Sequence, residues 1–151
     1  MRALIQRVKQ ASVRIDGALN DQIEGGLLVL LGVGLDDEPS DIEWLSNKLI
    51  ALRIFNDSEG VMNRSLSDID GDLMIVSQFT LHAKTKKGNR PSYIRAAGPD
   101  KAIPLYEAFI AHCEQLLNKR VARGVFGADM QIELINDGPV TIMIDSKEKD
   151  F

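Results

Sequence analysis

The stretch Gly25-Gly26-Leu27-Leu28-Val29-Leu30-Leu31-Gly32-Val33 constrains the fold more than any other. A continuous apolar run of strand length has no polar side to turn to water, so it needs cover on both faces. Ala3 to Ile15 mixes apolar and polar residues in near-alternation, with Leu4, Val8, Val13 and Ile15 among the apolar positions. It reads as one half-buried strand, or two, ending at the turn signal Asp16-Gly17.

Two helices follow from spacing. Ser40 offers an N-cap oxygen and Glu43 completes a capping box, while Ile42, Leu45, Leu49 and Leu52 form one apolar stripe. A second helix is expected from about Asp100 to Asn118, with Leu105, Phe109, His112 and Leu116 on one face. Between them, Asp57 to Gly71 reads as a long connection rich in Ser, Asp, Asn and Gly, and Leu73 to Thr80 as a strand. Met130 to Ile135 and Val140 to Ile144 read as two strands around Asn136-Asp137-Gly138-Pro139. Strands, helix, strand, helix, strands in that order imply sheets with helices on one side.

Composition narrows the chemistry. The chain has 151 residues, the size of one domain, with 44% hydrophobic and 26% charged residues. One cysteine, Cys113, excludes an internal disulfide and a thiolate metal cage. His82 and His112 have no metal-binding spacing, so no metal is expected. The charged start at Arg2 and Arg7 is unlike a signal peptide, and no apolar run is long enough to span a bilayer. The expectation is a cytoplasmic protein without cofactor or membrane partner.

Three features carry candidate chemistry. Ser77-Gln78-Phe79-Thr80 clusters two hydroxyls and an amide where a strand gives way to a loop, which suits substrate binding or simply a capped strand edge. In an extended strand His82 shares Thr80's face, giving a weak Thr–His pair, and no GxSxG elbow supports a hydrolase triad. Lys84 to Arg95 contains Lys84, Lys86, Lys87, Arg90 and Arg95 and no acid, in a chain of 18 basic and 22 acidic residues. The net charge of -4 therefore divides into +5 on this loop and -9 elsewhere. With Gly88 for close approach and Tyr93 for stacking, the loop fits phosphate or single-stranded nucleic acid as well as a solvated turn. The third feature, Asn136-Asp137-Gly138-Pro139-Val140-Thr141, is a strong hairpin signal, but Pro after Gly is awkward in a tight hairpin and marks a candidate cis bond.

Together these pieces resemble the D-aminoacyl-tRNA deacylases over nearly the whole chain. The likeness runs through Met1 to Val8, Gly26 to Val33, Arg53-Ile54-Phe55, Lys87 to Ser92 and Phe126 to Met130. Its two most specific motifs are Ser77-Gln78-Phe79-Thr80 and Asn136-Asp137-Gly138-Pro139-Val140-Thr141. The resemblance implies an α/β fold, a three-layer β/β/α single domain spanning 1–151 with helices on one side of the sheets. It also implies a homodimer whose active sites lie at the interface. Ser77, Gln78, Phe79 and Thr80 of one subunit would then face a Gly138-cis-Pro139 motif from the other. That motif would hold the amino group of a D-amino acid and exclude an L side chain; Arg7 would hold the motif, and Phe126 and Met130 would flank the terminal adenosine.

Backbone N–H groups at Phe79 and Thr80 and the tRNA 2′-hydroxyl would assist attack by water, and glycine mischarged on tRNA-Ala would also be cleared. The basic loop would contact the tRNA end, and no DNA partner is expected. The competing expectation is a non-catalytic nucleic-acid-binding module using Lys84 to Arg95; a general esterase lacks a visible triad or metal set.

Overall fold

The apolar run becomes the third strand of a mixed sheet in the computed structural model, which describes residues 1–150. The elements are β1 (Arg2–Ile15), β2 (Ala18–Ile23), β3 (Gly26–Gly32), α1 (Pro39–Ala51), β4 (Phe55–Asn56), β5 (Met62–Arg64), β6 (Asp72–Ser77), a 3-10 helix (Phe79–His82), α2 (Pro99–Leu117), β7 (Ala122–Arg123) and β8 (Met130–Asp145). The first half of β1 pairs antiparallel with β3 and its second half with β2, while β8 runs antiparallel beside it. β3–β6 and β6–β7 are parallel. Phe151, counted in the single-domain expectation, lies outside the described residues.

Both faces of β3 are covered, as its composition requires. Leu27, Val29 and Leu31 join Leu73 and Ile75 of β6 in a core closed by Leu45 and Leu49 of α1 and Tyr106 and Phe109 of α2. Leu28 and Leu30 join Met74 and Val76 on the other face, against Ala11, Val13, Ile132 and Leu134. The long strands β1 and β8 fold back over the sheet to make that second β layer, so the order of layers is β/β/α. The turnover falls at Val8 to Gln10, where the β1–β8 register shifts twice. Ala3 and Ile5 before it face the helices, and Ala11 and Val13 after it face the second core.

Several local expectations are corrected. β1 is a single strand, the first of the two readings of Ala3 to Ile15. The N-cap of α1 is Glu38, two residues before Ser40, with Pro39 at the first helical position and the Glu38 N–H donating to Asp41 Oδ2 at 2.8 Å, so Asp41 rather than Glu43 closes the cap. The buried stripe of α2 is Ala102, Tyr106, Phe109, Ile110 and Cys113; Leu105 and His112 flank it and Leu116 is exposed. Asp57 to Gly71 is not wholly irregular, because β5 within it pairs with β4. The last two strands are a single β8 paired to β1 on both sides of Pro139, so Asn136-Asp137-Gly138-Pro139 is no hairpin. No helix of the described residues is long and apolar enough to cross a membrane.

Candidate active site

β6 ends at Ser77, level with Leu31, where the Gln78 N–H donates to Leu31 O at 2.8 Å. The chain then turns into the 3-10 helix instead of extending to Thr80, so Thr80 and His82 do not share a strand face and the Thr–His pair is lost. Gln78 Nε2 donates to Thr80 Oγ1 at 2.5 Å, which makes the hydroxyl an acceptor held in place by an amide. A 3-10 helix leaves its leading N–H groups without internal partners. Those of Phe79 and Thr80 donate to no protein acceptor among the described residues.

His82 is buried, with its Cδ2 and Cε1 edge toward Gly32 and Gly34. Burial pushes its pKa below the usual 6.5, and Arg2 and the N-terminal ammonium push the same way, against the Gly32 carbonyl and Asp37. The ring packs the turn against β3 and stays neutral at pH 7.

Ser77, Gln78 and Phe79 line a cavity of about 80 Å³ together with Val33, Tyr106 and Phe126. Tyr106 was not singled out by sequence; its hydroxyl donates to Ile75 O at 2.9 Å and its ring meets Phe126 edge-on at 5.9 Å. The signal for it was a hydroxyl-bearing aromatic in register with Phe109 and Cys113. Met130 stands apart from this cavity, packed in the second core against Gly124.

The second motif lies elsewhere. Between Thr141 and Asn136, β8 takes five residue steps while β1 advances two, so the residues between them leave the ladder as a bulge. Asn136 closes the bulge through its side chain: Oδ1 accepts from the Val140 N–H at 2.8 Å and Nδ2 donates to Thr141 Oγ1 at 3.0 Å. Arg7, 7% exposed, holds it from beneath, with Nε donating to Asp137 O at 2.8 Å and Nη1 to Ile54 O at 2.6 Å. The Asp137 carboxylate sits between Arg7 at 3.4 Å and Lys9 at 3.6 Å. The Gly138-Pro139 bond is cis and both residues are exposed. At φ +138°, and with Arg7 Nη2 3.2 Å from where a Cβ would stand, position 138 admits only glycine.

Lys84 to Arg95 is an exposed lobe closed by paired backbone bonds between Lys84 and Ser92, at 2.8 and 3.0 Å. Lys84, Lys86, Lys87, Arg90 and Arg95 enter no ion pair among the described residues. At its base Tyr93 meets Phe79 edge-on, with ring centroids 5.0 Å apart. Within the described residues no three His, Cys, Asp or Glu side chains are grouped to hold a metal ion.

Comparison with known proteins gives the class to which this arrangement belongs. The model of the family described as "D-Tyr-tRNA(Tyr) deacylase" matches residues 4–145. The chain is 63% identical to a D-aminoacyl-tRNA deacylase of Cytophaga hutchinsonii, over 99% of both chains. It is 56% identical to that of Flavobacterium johnsoniae, over 99% of this chain and 100% of the relative. A solved structure named "c-Myc DNA Unwinding Element Binding Protein" shares the fold at a TM-score of 0.92 and 36% identity, covering 96% of this chain and 98% of that one. A second, of a probable eukaryotic D-amino acid tRNA deacylase, matches at 0.79 and 20% identity over 95% of this chain and 97% of its own. The chain belongs to the D-aminoacyl-tRNA deacylase family, enzymes that hydrolyse aminoacyl-tRNA.

Proposed function

We propose that the protein removes D-amino acids from tRNA by hydrolysing the ester to the 3′-terminal ribose, and that it rejects L-aminoacyl-tRNA. The observation that carries this is the turn after β6: two unpaired backbone N–H groups, at Phe79 and Thr80, beside a cavity lined by Ser77, Gln78, Phe79 and Phe126. Water attacks the ester carbonyl carbon, and the oxyanion that forms takes up those N–H donors. The carbon–oxygen bond to the ribose breaks, the ribose oxygen takes a proton from the attacking water by way of the neighbouring 2′-hydroxyl, and a free D-amino acid leaves. An aminoacyl ester is already labile, so positioning and oxyanion stabilisation suffice. Thr80 Oγ1 accepts from Gln78 and faces no base, which favours a binding role over a nucleophilic one.

Gly138-Pro139 selects handedness by exclusion, and achiral glycine, including glycine on tRNA-Ala, passes the same filter. Strand spacing sets this motif well apart from the turn of its own chain, which supports a site completed by a second chain. Ser77 is level with Leu31 and Ala3, and Gly138 sits beside Arg7, four residues further along β1. That separation is about 14 Å along β1 and about 14 Å across three strand spacings, on the order of 20 Å in all. A cavity of about 80 Å³ is also far below the ~300 Å³ of a complete ligand pocket. A homodimer that brings the Gly138-Pro139 bulge of one protomer to the turn of its partner completes the site.

The decisive experiment compares release of D-tyrosine and L-tyrosine from tRNA, with Thr80→Ala alongside. Release of D but not L, with substantial activity left in Thr80→Ala, supports editing; loss of all hydrolysis in a folded, tRNA-binding Thr80→Ala protein reassigns Thr80 as the nucleophile. A second reading, a nucleic-acid-binding module without turnover, is favoured by the unpaired cations of Lys84 to Arg95 and by the DNA-binding name of one structural relative. Binding of D-tyrosyl-tRNA without release would establish it.

A further inference from the structure

Tyr93, stacked edge-on against Phe79, has no role in the scheme above. Phe79 is 54% exposed, Tyr93 38% and Ile94 68%, so one patch leaves two aromatic rings and an isoleucine in water. The patch stands between two things. On one side is the turn that borders the cavity, with the unpaired N–H groups of Phe79 and Thr80. On the other is a hollow of about 760 Å³ lined by Lys84, Thr85, Lys86, Lys87, Ser92 and Arg95. That volume lies in the range of about 300–1,000 Å³ typical of ligand pockets.

The charge is unusual in the same way as the apolar exposure. Outside the lobe most basic side chains find a carboxylate among the described residues, as Lys119 does with Asp72 at 2.8 Å and Lys147 with Asp41 at 2.7 Å, and those that do not, Lys48, Arg53, Arg64, Lys101 and Lys149, are scattered along the chain rather than gathered in one segment. The five cations of the lobe find none. Unpaired cations beside exposed aromatic rings are the two halves of a single-strand nucleic-acid surface: phosphates take the cations, and bases stack on the rings whatever their sequence. The lobe is also well placed to hold such a strand. Its neck is closed by the Lys84–Ser92 backbone pair, and its base is anchored by Ala96 N–H to Tyr93 O at 2.9 Å and Leu35 N–H to Arg95 O at 3.1 Å. Tyr93 is thus fixed in the backbone while its ring faces water.

We propose that Tyr93 with Phe79, and the hollow lined by Lys84, Lys86, Lys87 and Arg95, form a subsite for the unpaired nucleotides immediately 5′ of the one that bears the amino acid. The terminal nucleotide goes to the cavity at Phe126, and the strand leaves over the edge-to-face aromatic pair with its phosphates along the lobe. This rests on the reading that the substrate is an aminoacyl-tRNA, and it adds where the enzyme distinguishes a tRNA end from a bare aminoacyl nucleoside.

The test uses two substrates with the same ester, D-tyrosyl-tRNA and D-tyrosyl-adenosine, and the ratio of their kcat/KM values. Tyr93→Ala is expected to lower the ratio about tenfold or more, the effect of losing one base-stacking ring, and Tyr93→Phe to restore it. Binding of an uncharged RNA tetranucleotide ending in CCA, followed by fluorescence anisotropy, should weaken to the same degree in Tyr93→Ala. A ratio unchanged by Tyr93→Ala overturns the proposal. So does an equal loss on both substrates, which would make Tyr93 a prop for Phe79. A Tyr93→Ala protein that runs as a monomer in gel filtration where the wild type runs as a dimer would make the patch a subunit contact and overturn it as well. If the wild-type protein cleaves neither ester, the editing reading fails separately, and the tetranucleotide then decides alone: binding lost in Tyr93→Ala supports the subsite, and binding retained refutes it.

Discussion

Replacing Arg7 by alanine should destabilise the protein by about 3 kcal/mol, and the figure can be assembled from its contacts. The Nη1 bond to Ile54 O, 2.6 Å and buried, is a hydrogen bond from a charged donor. Such bonds are worth about 2 kcal/mol, and their loss leaves a carbonyl facing no partner. The Nε bond to Asp137 O at 2.8 Å is part-buried, and the Asp137 carboxylate is 35% exposed with Lys9 also beside it. Solvent screening discounts this second group of contacts to about 1 kcal/mol in total.

For a domain of this size 3 kcal/mol corresponds to a fall in Tm of about 10 °C. Urea unfolding gives the free energy and a thermal melt the temperature. Arg7→Lys should recover only part, since one ammonium cannot serve carbonyls placed for Nε and Nη1 separately. The functional half of the prediction is that the D-to-L preference collapses before D-tyrosyl-tRNA hydrolysis does, because Arg7 touches the Gly138 segment and not the turn at Ser77. A folded Arg7→Ala protein within 1 kcal/mol of wild type, with its stereochemical preference intact, would refute the assignment of Arg7 as the support of the bulge.

Other outcomes follow from single contacts. Gly26→Ala should abolish soluble folded protein or cost more than about 4 kcal/mol in urea unfolding, because its Cβ would stand 1.9 Å from Asp72 O across the β3–β6 ladder. Cys113, whose thiol is pushed up to about 12 by burial with Glu114 adding, should not react with a disulfide reagent at pH 8 until the protein is unfolded. His82 is held below 6.5 by burial, so the unfolded chain binds a proton there more readily than the native one. Stability should therefore fall as pH drops from 6.5 toward the lowered value, and His82→Gln should flatten that part of the pH profile of urea midpoints. Asp41 and Asp145 act in a separate window: burial raises both, but hydrogen bonds from Lys147 and others, with Arg2 adding at Asp145, outweigh it and lower them. Their contribution is present above 3.8 and is lost as pH falls through the lowered values, which melts below pH 4 should show.

What the sequence made legible was whatever a short window contains. The run from Leu27 to Leu31 announced a strand covered on both faces, and the Ile42, Leu45, Leu49 stripe announced α1. The hairpin signal at Asn136-Asp137-Gly138-Pro139 failed because its competitor is distant: β1, some 130 residues earlier, pairs with both flanks, and a side-chain latch from Asn136 replaces the hairpin turn. The same blindness hid the 3-10 turn. Nothing local in Phe79-Thr80-Leu81-His82 forbids extension; the turn is set by packing of His82 against Gly32 and Gly34, two glycines that a strand reading treats only as boundaries. Arg7 could be named from resemblance, but its partners Ile54 and Asn56 could not, because they come from the segment after α1.

The reactive side chains of this chain are occupied elsewhere, and that shapes the proposed mechanism. His112 Nδ1 lies 2.6 Å from Ser46 Oγ between the two helices, His82 is packed under the turn, and Cys113 is buried in the helix-side core. The polar residues that line the cavity are then Ser77, Gln78 and Tyr106, none of which supplies a strong base. A site of that kind gains little by sharpening a nucleophile and much by deciding which ester is allowed to sit against it. The proposed function gives selection to Gly138-Pro139, on the order of 20 Å from the turn of its own chain. A monomer that kept both motifs would thus hold the donors without the filter. Dilution below the dimer's dissociation constant should for that reason lower D-tyrosyl-tRNA hydrolysis more steeply than in proportion to protein, whereas a proportional fall would mean that one chain suffices.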